Sequence, residues 1–210
     1  IIASERMPSQ MSAGAPFFQE VGAKARSLGE AYQVQAVGAG SAGQLHHKTG
    51  VYLPGLYPTA PWVDVPLKEI LETQTGLPSF VDNDCKIHAY AEMKVGAAQG
   101  LTDFISLTLG TGLGGGIIAN GQLVHGAKGI AGHVGHISIE PDGPLCPCGN
   151  RGCLELYASG TAVAKMGSAA YGEEISSPEV FRKAASGDAT ACTVIETMAA
   201  ALGRGLGAMA

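Results

Sequence analysis

Phe104-Ile105-Ser106-Leu107-Thr108-Leu109-Gly110-Thr111-Gly112-Leu113-Gly114-Gly115-Gly116-Ile117-Ile118-Ala119-Asn120-Gly121 is the stretch whose reading separates the possible folds. Phe104 to Leu109 alternates and is rich in β-formers, so it predicts a strand. Gly110 to Gly116 predicts a turn, Ile117-Ile118 resumes a strand, and Asn120-Gly121 is a strong hairpin signal. Residues 103–125 therefore predict an antiparallel meander. A GxGxxG string runs from Gly110 to Gly115, but a dinucleotide site needs strand–turn–helix, and here a strand follows. No Walker lysine is present, so the P-loop fails as well. What survives is a glycine turn whose backbone N–H groups can surround phosphate oxygens, with the Thr111 hydroxyl as a further donor. The competing reading is a glycine-rich hairpin that serves only a bulge or a tight sheet contact.

On either side, short apolar runs alternate with helical patterns, which predicts an α/β architecture. Pro16 to Glu30 reads as an amphipathic helix with Gly29 near its end. Val34 to Val37 reads as a strand that breaks at Gly38, and Pro66 to Thr73 as a helix. Ser79 to Val81 is a short strand running into Asp82-Asn83-Asp84. A helix follows from about Cys85 to Ala98, with Ala91, Val95 and Ala98 on one face. From Leu154 onward the chain is mainly helical, with a start at Ser177-Pro178-Glu179 and a last helix from about Ala189. The expected domains are residues 1–100 and 101–210.

The whole chain has 210 residues, 46% of them hydrophobic, and a mean hydropathy of +0.17, so a packed core is expected and disorder is not. A net charge of −5 argues against a general phosphate-backbone binder in this segment. The charge-free stretch Phe104 to Ala127 is long enough to raise the question of a membrane span. Its seven glycines, with Asn120 and Gln122, answer against one. The chain begins at Ile1 with no charged and apolar leader, and the expectation is a cytoplasmic protein.

Cys146, Cys148 and Cys153 fall within eight residues, and His136 stands ten positions before the first. One imidazole and three thiolates make a good tetrahedral set for structural zinc, and Gly143, Gly149 and Gly152 allow the sharp turns. Unrelated cysteines, or a disulfide with one thiol left over, are the alternatives; the disulfide is weak in a reducing compartment. Cys85 and Cys192 are isolated and read as packing residues.

Val81-Asp82-Asn83-Asp84 lies where a strand gives way to a helix, the position at which α/β sheets present carboxylates to a ligand. Asp84 could take a proton from a substrate hydroxyl and Asn83 could bond a neighbouring one. Equally, Asp82 or Asp84 could simply cap the helix. Glu155 follows the last cysteine by two positions, where a zinc knot would hold it. His133 and His136, three apart, could face one ligand, although a histidine is more often just packed or solvated.

Together these residues closely resemble the ROK family of repressors, uncharacterised reading frames and sugar kinases. The likeness runs from Asn83-Asp84 through Gly110 to Gly116 and Gly126 to His136, then through Cys146-Pro147-Cys148-Gly149-Asn150-Arg151-Gly152-Cys153-Leu154-Glu155 to Ser159-Gly160. It implies an actin-like ATPase (ribonuclease H-like) fold of two α/β domains, incomplete in this chain, with sugar and ATP in the cleft. It further implies Asp84 as catalytic base, with Asn83, Glu155, His133 and His136 on the sugar. Gly110, Thr111, Gly112 and Gly114 would form the second phosphate loop. Zinc would sit on His136, Cys146, Cys148 and Cys153, and Mg²⁺ on the nucleotide phosphates and water. The implied reaction is phosphorylation of a hexose or N-acetylhexosamine at its 6-hydroxyl. A homodimer or higher homo-oligomer is expected, with no membrane partner.

This sequence departs from the family pattern in places. The Asp-x-Gly-Gly-Thr hairpin that opens family kinases and the C-terminal adenosine loop are both missing from these residues. Near Tyr57-Pro58-Thr59 the family often has a sugar-touching asparagine, which Thr59 replaces only in part. Many members carry Glu where His133 stands; Ala-Gly-His-x-Gly-His resembles the N-acetylmannosamine-directed members, with glucose the next expectation. A sugar-responsive repressor, with nucleic acid as partner through an upstream helix-turn-helix, is the other class.

Overall fold

The computed structural model describes residues 1–55 and 60–209, so the Thr59 expectation lies outside the described residues. The chain divides into two compact units, Ile1–Gly100 with Leu123–Ala131, and Leu101–Gln122 with Gly132–Ala210. Sequence reading placed one boundary near Gly100, whereas residues 123–131 return to the first unit.

In the first unit, α1 (Ala15–Tyr32) carries Pro16 in its first turn and packs on α2 (Leu67–Thr75). Contact is close because a Cβ on Gly22 would lie 2.8 Å from the Gln74 side chain. The helix continues past Gly29, which is buried, and stops on Gln33 in the left-handed region at φ 53°. Strands β1 (Val37–Ser41) and β2 (Ser79–Asn83) pair in parallel, Val37 opposite Ser79 and Ser41 opposite Asn83. Val34 to Val37 is thus corrected to Val37–Ser41, overlapping only at Val37: pairing with β2 carries Gly38 and Gly40 into the strand. Phe18, Leu45, Tyr52, Val65, Leu67, Leu71 and Val81 form the core.

Helix α3 (Asp84–Val95) follows β2 directly. Of the expected apolar face, Ala98 is buried but lies beyond the end of the helix, Ala91 is exposed and Val95 is 79% exposed; within the helix Lys86 and Ala89 are the buried positions. Helical spacing alone cannot reveal a lysine whose partner comes from a remote loop.

In the second unit β3 (Phe104–Leu109), β4 (Leu113–Ala119) and β5 (Gln122–Leu123) form a sheet in that order, β3 and β4 antiparallel. Asn120 and Gly121 turn the chain at φ 50° and 70°, the left-handed pair that a tight hairpin demands. The glycine turn is shorter than expected, because Gly114 to Gly116 lie inside β4. Their lack of a side chain supplies space: a Cβ on Gly115 would stand 2.6 Å from the Ser106 carbonyl and 3.3 Å from that of Gly132. Helices α4 (Glu155–Ala158), α5 (Gly160–Tyr171), α6 (Ser177–Ala185) and α7 (Ala189–Met209) complete the unit. α7 presses on Leu154 through Gly205, where a Cβ would sit 2.4 Å from the leucine.

Candidate active site and metal centre

His136, Cys146, Cys148 and Cys153 converge, each ligand atom within 4.8 Å of the others. His136 Nδ1 stands 3.6 Å from Cys146 Sγ, and Cys148 Sγ stands 3.6 Å from Cys153 Sγ. Tetrahedral zinc with bonds of about 2.0–2.3 Å needs ligand separations of roughly 3.5–3.8 Å, which these two pairs meet, and one imidazole with three thiolates is a donor set that suits zinc. Cys146 and Cys153 are buried. Burial, together with hydrogen bonds from Cys146 and Cys148, pushes the Cys153 thiol up to about 12. Such a site needs a bound cation to hold three thiolates. The imidazole enters through Nδ1, which turns Nε2 away from the thiols.

The knot delivers Glu155 to the start of α4. Its Oε2 accepts the Leu113 backbone N–H at 2.7 Å and lies where a Gly112 Cβ would intrude at 2.4 Å. The turn Val134–His136 comes equally close, a Gly135 Cβ falling 2.1 Å from the Leu113 carbonyl. Gly112, Gly115, Gly132 and Gly135 thus let the glycine turn, the His133–His136 segment and Glu155 share one small volume. Within the second unit, the sequence-predicted residues come together.

The Gly110 and Thr111 carbonyls are taken by the start of α5, through Gly160 N–H at 2.8 Å and the Thr161 hydroxyl at 2.7 Å. Beside them opens a cavity of about 390 Å³. Its lining mixes polar groups, from Thr111, Ser159 and Ser177, with apolar ones, from Val163, Phe181 and Met198. A mostly apolar lining with a few polar groups is the usual make-up of a small-molecule pocket.

In the first unit, Asn83 is the cap of α3: its Oδ1 accepts the N–H groups of Cys85 at 3.1 Å and Lys86 at 3.2 Å. Its Nδ2 donates to the Gly43 carbonyl at 3.1 Å. Neither Asp82 nor Asp84 is the cap. Asp84 is exposed in the first turn of α3 and accepts only its neighbour's N–H, Cys85 at 2.9 Å, among the hydrogen bonds described. A carboxylate there is stabilised by the helix terminus and open to a ligand.

A family model described as ROK family matches residues 19–210. The chain belongs to the ROK family. A glucokinase of Halalkalibacterium halodurans is 38% identical over 182 residues, 80% of this chain and 54% of that protein. An N-acetylmannosamine kinase of Escherichia coli is 41% identical over 142 residues, 66% of this chain and 47% of that protein. A xylose repressor of Bacillus spizizenii is 38% identical over 125 residues, 55% of this chain and 33% of that protein. Among solved structures, a ROK hexokinase from Thermus thermophilus matches with TM-score 0.81 and 34% identity, over 97% of this chain and 68% of that one. The chain spans about half the length of the curated relatives it matches. Its architecture is that of the ROK sugar kinases, an actin-like ATPase fold.

Three residues of this ROK chain carry contacts that the sequence reading did not foresee. Asp82, taken only as a possible cap, receives His125 Nε2 on Oδ2 at 2.6 Å. Lys86 is wholly buried, and its Nζ donates to the Gly129 carbonyl. His125 also stacks on His47, ring centroids 4.4 Å apart. No helix among the described residues is long and apolar enough to cross a membrane.

Proposed function

We propose that this protein is an ATP-dependent sugar kinase that phosphorylates the 6-hydroxyl of a hexose or N-acetylhexosamine, N-acetylmannosamine before glucose. The observation that carries this reading is the division of labour at α3, where Asn83 caps the helix and leaves the Asp84 carboxylate exposed. Asp84 is then the general base toward the sugar hydroxyl, and Asn83 a neighbouring sugar ligand. Glu155, His133 and His136 bind further hydroxyl or N-acetyl groups. Gly110, Thr111, Gly112 and Gly114 receive the phosphates, and the adjoining cavity receives the rest of the nucleotide. Zinc on His136 and the three cysteines would fix the backbone that leads into Glu155. Mg²⁺ would travel with the nucleotide. Positioning and charge stabilisation carry most of phosphoryl transfer, which agrees with the close packing of glycines around Glu155. The protein acts in the cytoplasm as a homodimer or larger homo-oligomer.

The test is transfer of phosphate from ATP by the full-length protein to a panel of hexoses and N-acetylhexosamines. The likeness to a xylose repressor supports a second reading, a sugar-responsive regulator. Operator binding released by a sugar, with no phosphotransfer to any member of the panel, would favour it.

A further inference from the structure

We propose that residues 125–131 are a positioning brace for Asn83-Asp84, with His125 gripping Asp82 ahead of that pair and the Gly129 carbonyl gripping Lys86 behind it. The inference rests on the kinase reading only for what Asp84 does.

The front grip is a shared carboxylate. Asp82 Oδ2 meets His125 Nε2 at 2.6 Å, while Oδ1 accepts the Asn83 backbone N–H at 2.8 Å. Any shift of His125 is therefore felt at Asn83. The rear grip is Lys86, whose ammonium is buried and held by Gly129. Burying an ammonium is unfavourable unless it is well paired. Burial accordingly lowers the Lys86 pKa, opposed by nearby Asp82. A helix that needed only a core residue here would use an aliphatic one. Residues 82, 83 and 86 are thus each tied down, and Asp84 stands exposed between the ties.

The brace is itself preformed. Ala131 N–H donates to the His125 carbonyl at 3.1 Å and Gly129 N–H to that of Gly126 at 3.2 Å, closing a compact turn. Gly129 requires its residue type: φ is +70°, and a Cβ would stand 2.7 Å from the Leu45 carbonyl. Gln44 Nε2 donates to the Lys128 carbonyl and pins the tip. His47, stacked on His125, fixes the ring from a second side. Lys68, His47, Asp82 and His125 line one cavity of about 360 Å³, so the pair sits at a partly open edge where substitution leaves the core intact.

The experiment compares His125→Leu and His125→Gln in the full-length protein. The glutamine amide nitrogen reaches where Nε2 sits and keeps a donor for Asp82. Displacing a catalytic group by about 1 Å can cost 10²-fold. The expected result is a kcat at least about tenfold lower in His125→Leu, with KM for ATP within about twofold, and recovery of most of kcat in His125→Gln. Amide exchange followed by mass spectrometry should quicken at residues 83–86 in the leucine variant and return to wild type in the glutamine variant. A leucine variant with wild-type kcat and exchange would overturn the brace, as would a glutamine variant as impaired as the leucine one. Wild-type protein inactive on every sugar would instead overturn the kinase reading, and the exchange comparison alone would then decide the brace.

Discussion

Glu155 Oε2 accepts the backbone N–H of Leu113 at 2.7 Å, across 42 residues of sequence. That bond joins the helix behind the cysteine knot to the end of the glycine turn. Gly112 makes room for it, since a Cβ there would fall 2.4 Å from the same oxygen. Gly112→Ala should therefore displace Glu155 and lower phosphotransfer about tenfold or more, the equivalent of about 1.4 kcal/mol in the barrier. Metal content should not change, because no zinc ligand moves. Steady-state kinetics beside metal analysis checks both, and an alanine variant with full activity would show that the turn tolerates the displacement.

Cys148→Ser should lower both zinc content and thermal stability. Cys148 and Cys153 sulfurs lie 3.6 Å apart, and Cys153 is held far toward the neutral thiol in the absence of a cation, chiefly by burial. Removing one of four ligands weakens the metal that offsets this, and local folding goes with it. Stoichiometric zinc with an unchanged melting temperature would sink the assignment.

Asp84→Asn keeps the shape of the first turn of α3 but removes the proton acceptor. Turnover should fall by roughly 10²–10⁴, with little change in sugar affinity measured by calorimetry. Asn83→Ala should behave differently, losing about 1 kcal/mol of stability because the cap is lost, together with sugar affinity because a sugar ligand is lost. If Asp84→Asn instead destabilises the protein and leaves turnover intact, the carboxylate has only a structural task.

A pH effect is expected at the start of α7. Tyr171 donates to Asp188 Oδ1 at 2.5 Å and the Ala191 N–H donates to it at 2.9 Å. These bonds, the tyrosine's first, hold the Asp188 carboxyl below its ordinary value. A lowered folded-state pKa gives stability that is complete above the unfolded value and is lost as pH falls through the folded one. The melting-temperature gap between wild type and Tyr171→Phe should be largest above about pH 5 and narrow below about pH 3. A gap constant across that range would contradict the link.

What the sequence revealed was local chemistry. The Cys-x-Cys-x4-Cys knot and the Asn120-Gly121 hairpin are each specified by residues a few positions apart, so spacing alone exposes them. The glycines of β4 misled, because the sequence shows only that no side chain is present. Gly115 uses that absence to admit the carbonyls of Ser106 and Gly132, not to turn the chain. His125–Asp82 and Lys86–Gly129 were illegible for another reason. Each joins residues 43 positions apart, and the loop that supplies His125 and Gly129 follows the hairpin in sequence while packing with the first unit.

His133 is the residue on which sugar choice is expected to depend. It precedes the short turn Val134–His136, three positions before His136 of the His/Cys cluster, in the segment packed against β4 and Glu155. Gly132 crosses the Gly115 carbonyl at the distance a Cβ would close to 2.6 Å, which fixes where the His133 backbone emerges. An ionised carboxylate at this position could only accept hydrogen bonds, which suits a donor hydroxyl on the sugar. A neutral imidazole offers one donor and one acceptor, so it can meet the carbonyl oxygen of an N-acetyl group. His133→Glu should therefore move preference from N-acetylmannosamine toward glucose. An unpaired buried polar group costs about 1–3 kcal/mol, or roughly 5- to 150-fold in the ratio of kcat/KM values. The ratio is measured on the full-length protein with both sugars at saturating ATP. Efficient glucose phosphorylation by the wild type, with N-acetylmannosamine ignored, would refute the role given to His133 while leaving Asp84 and the zinc knot untouched.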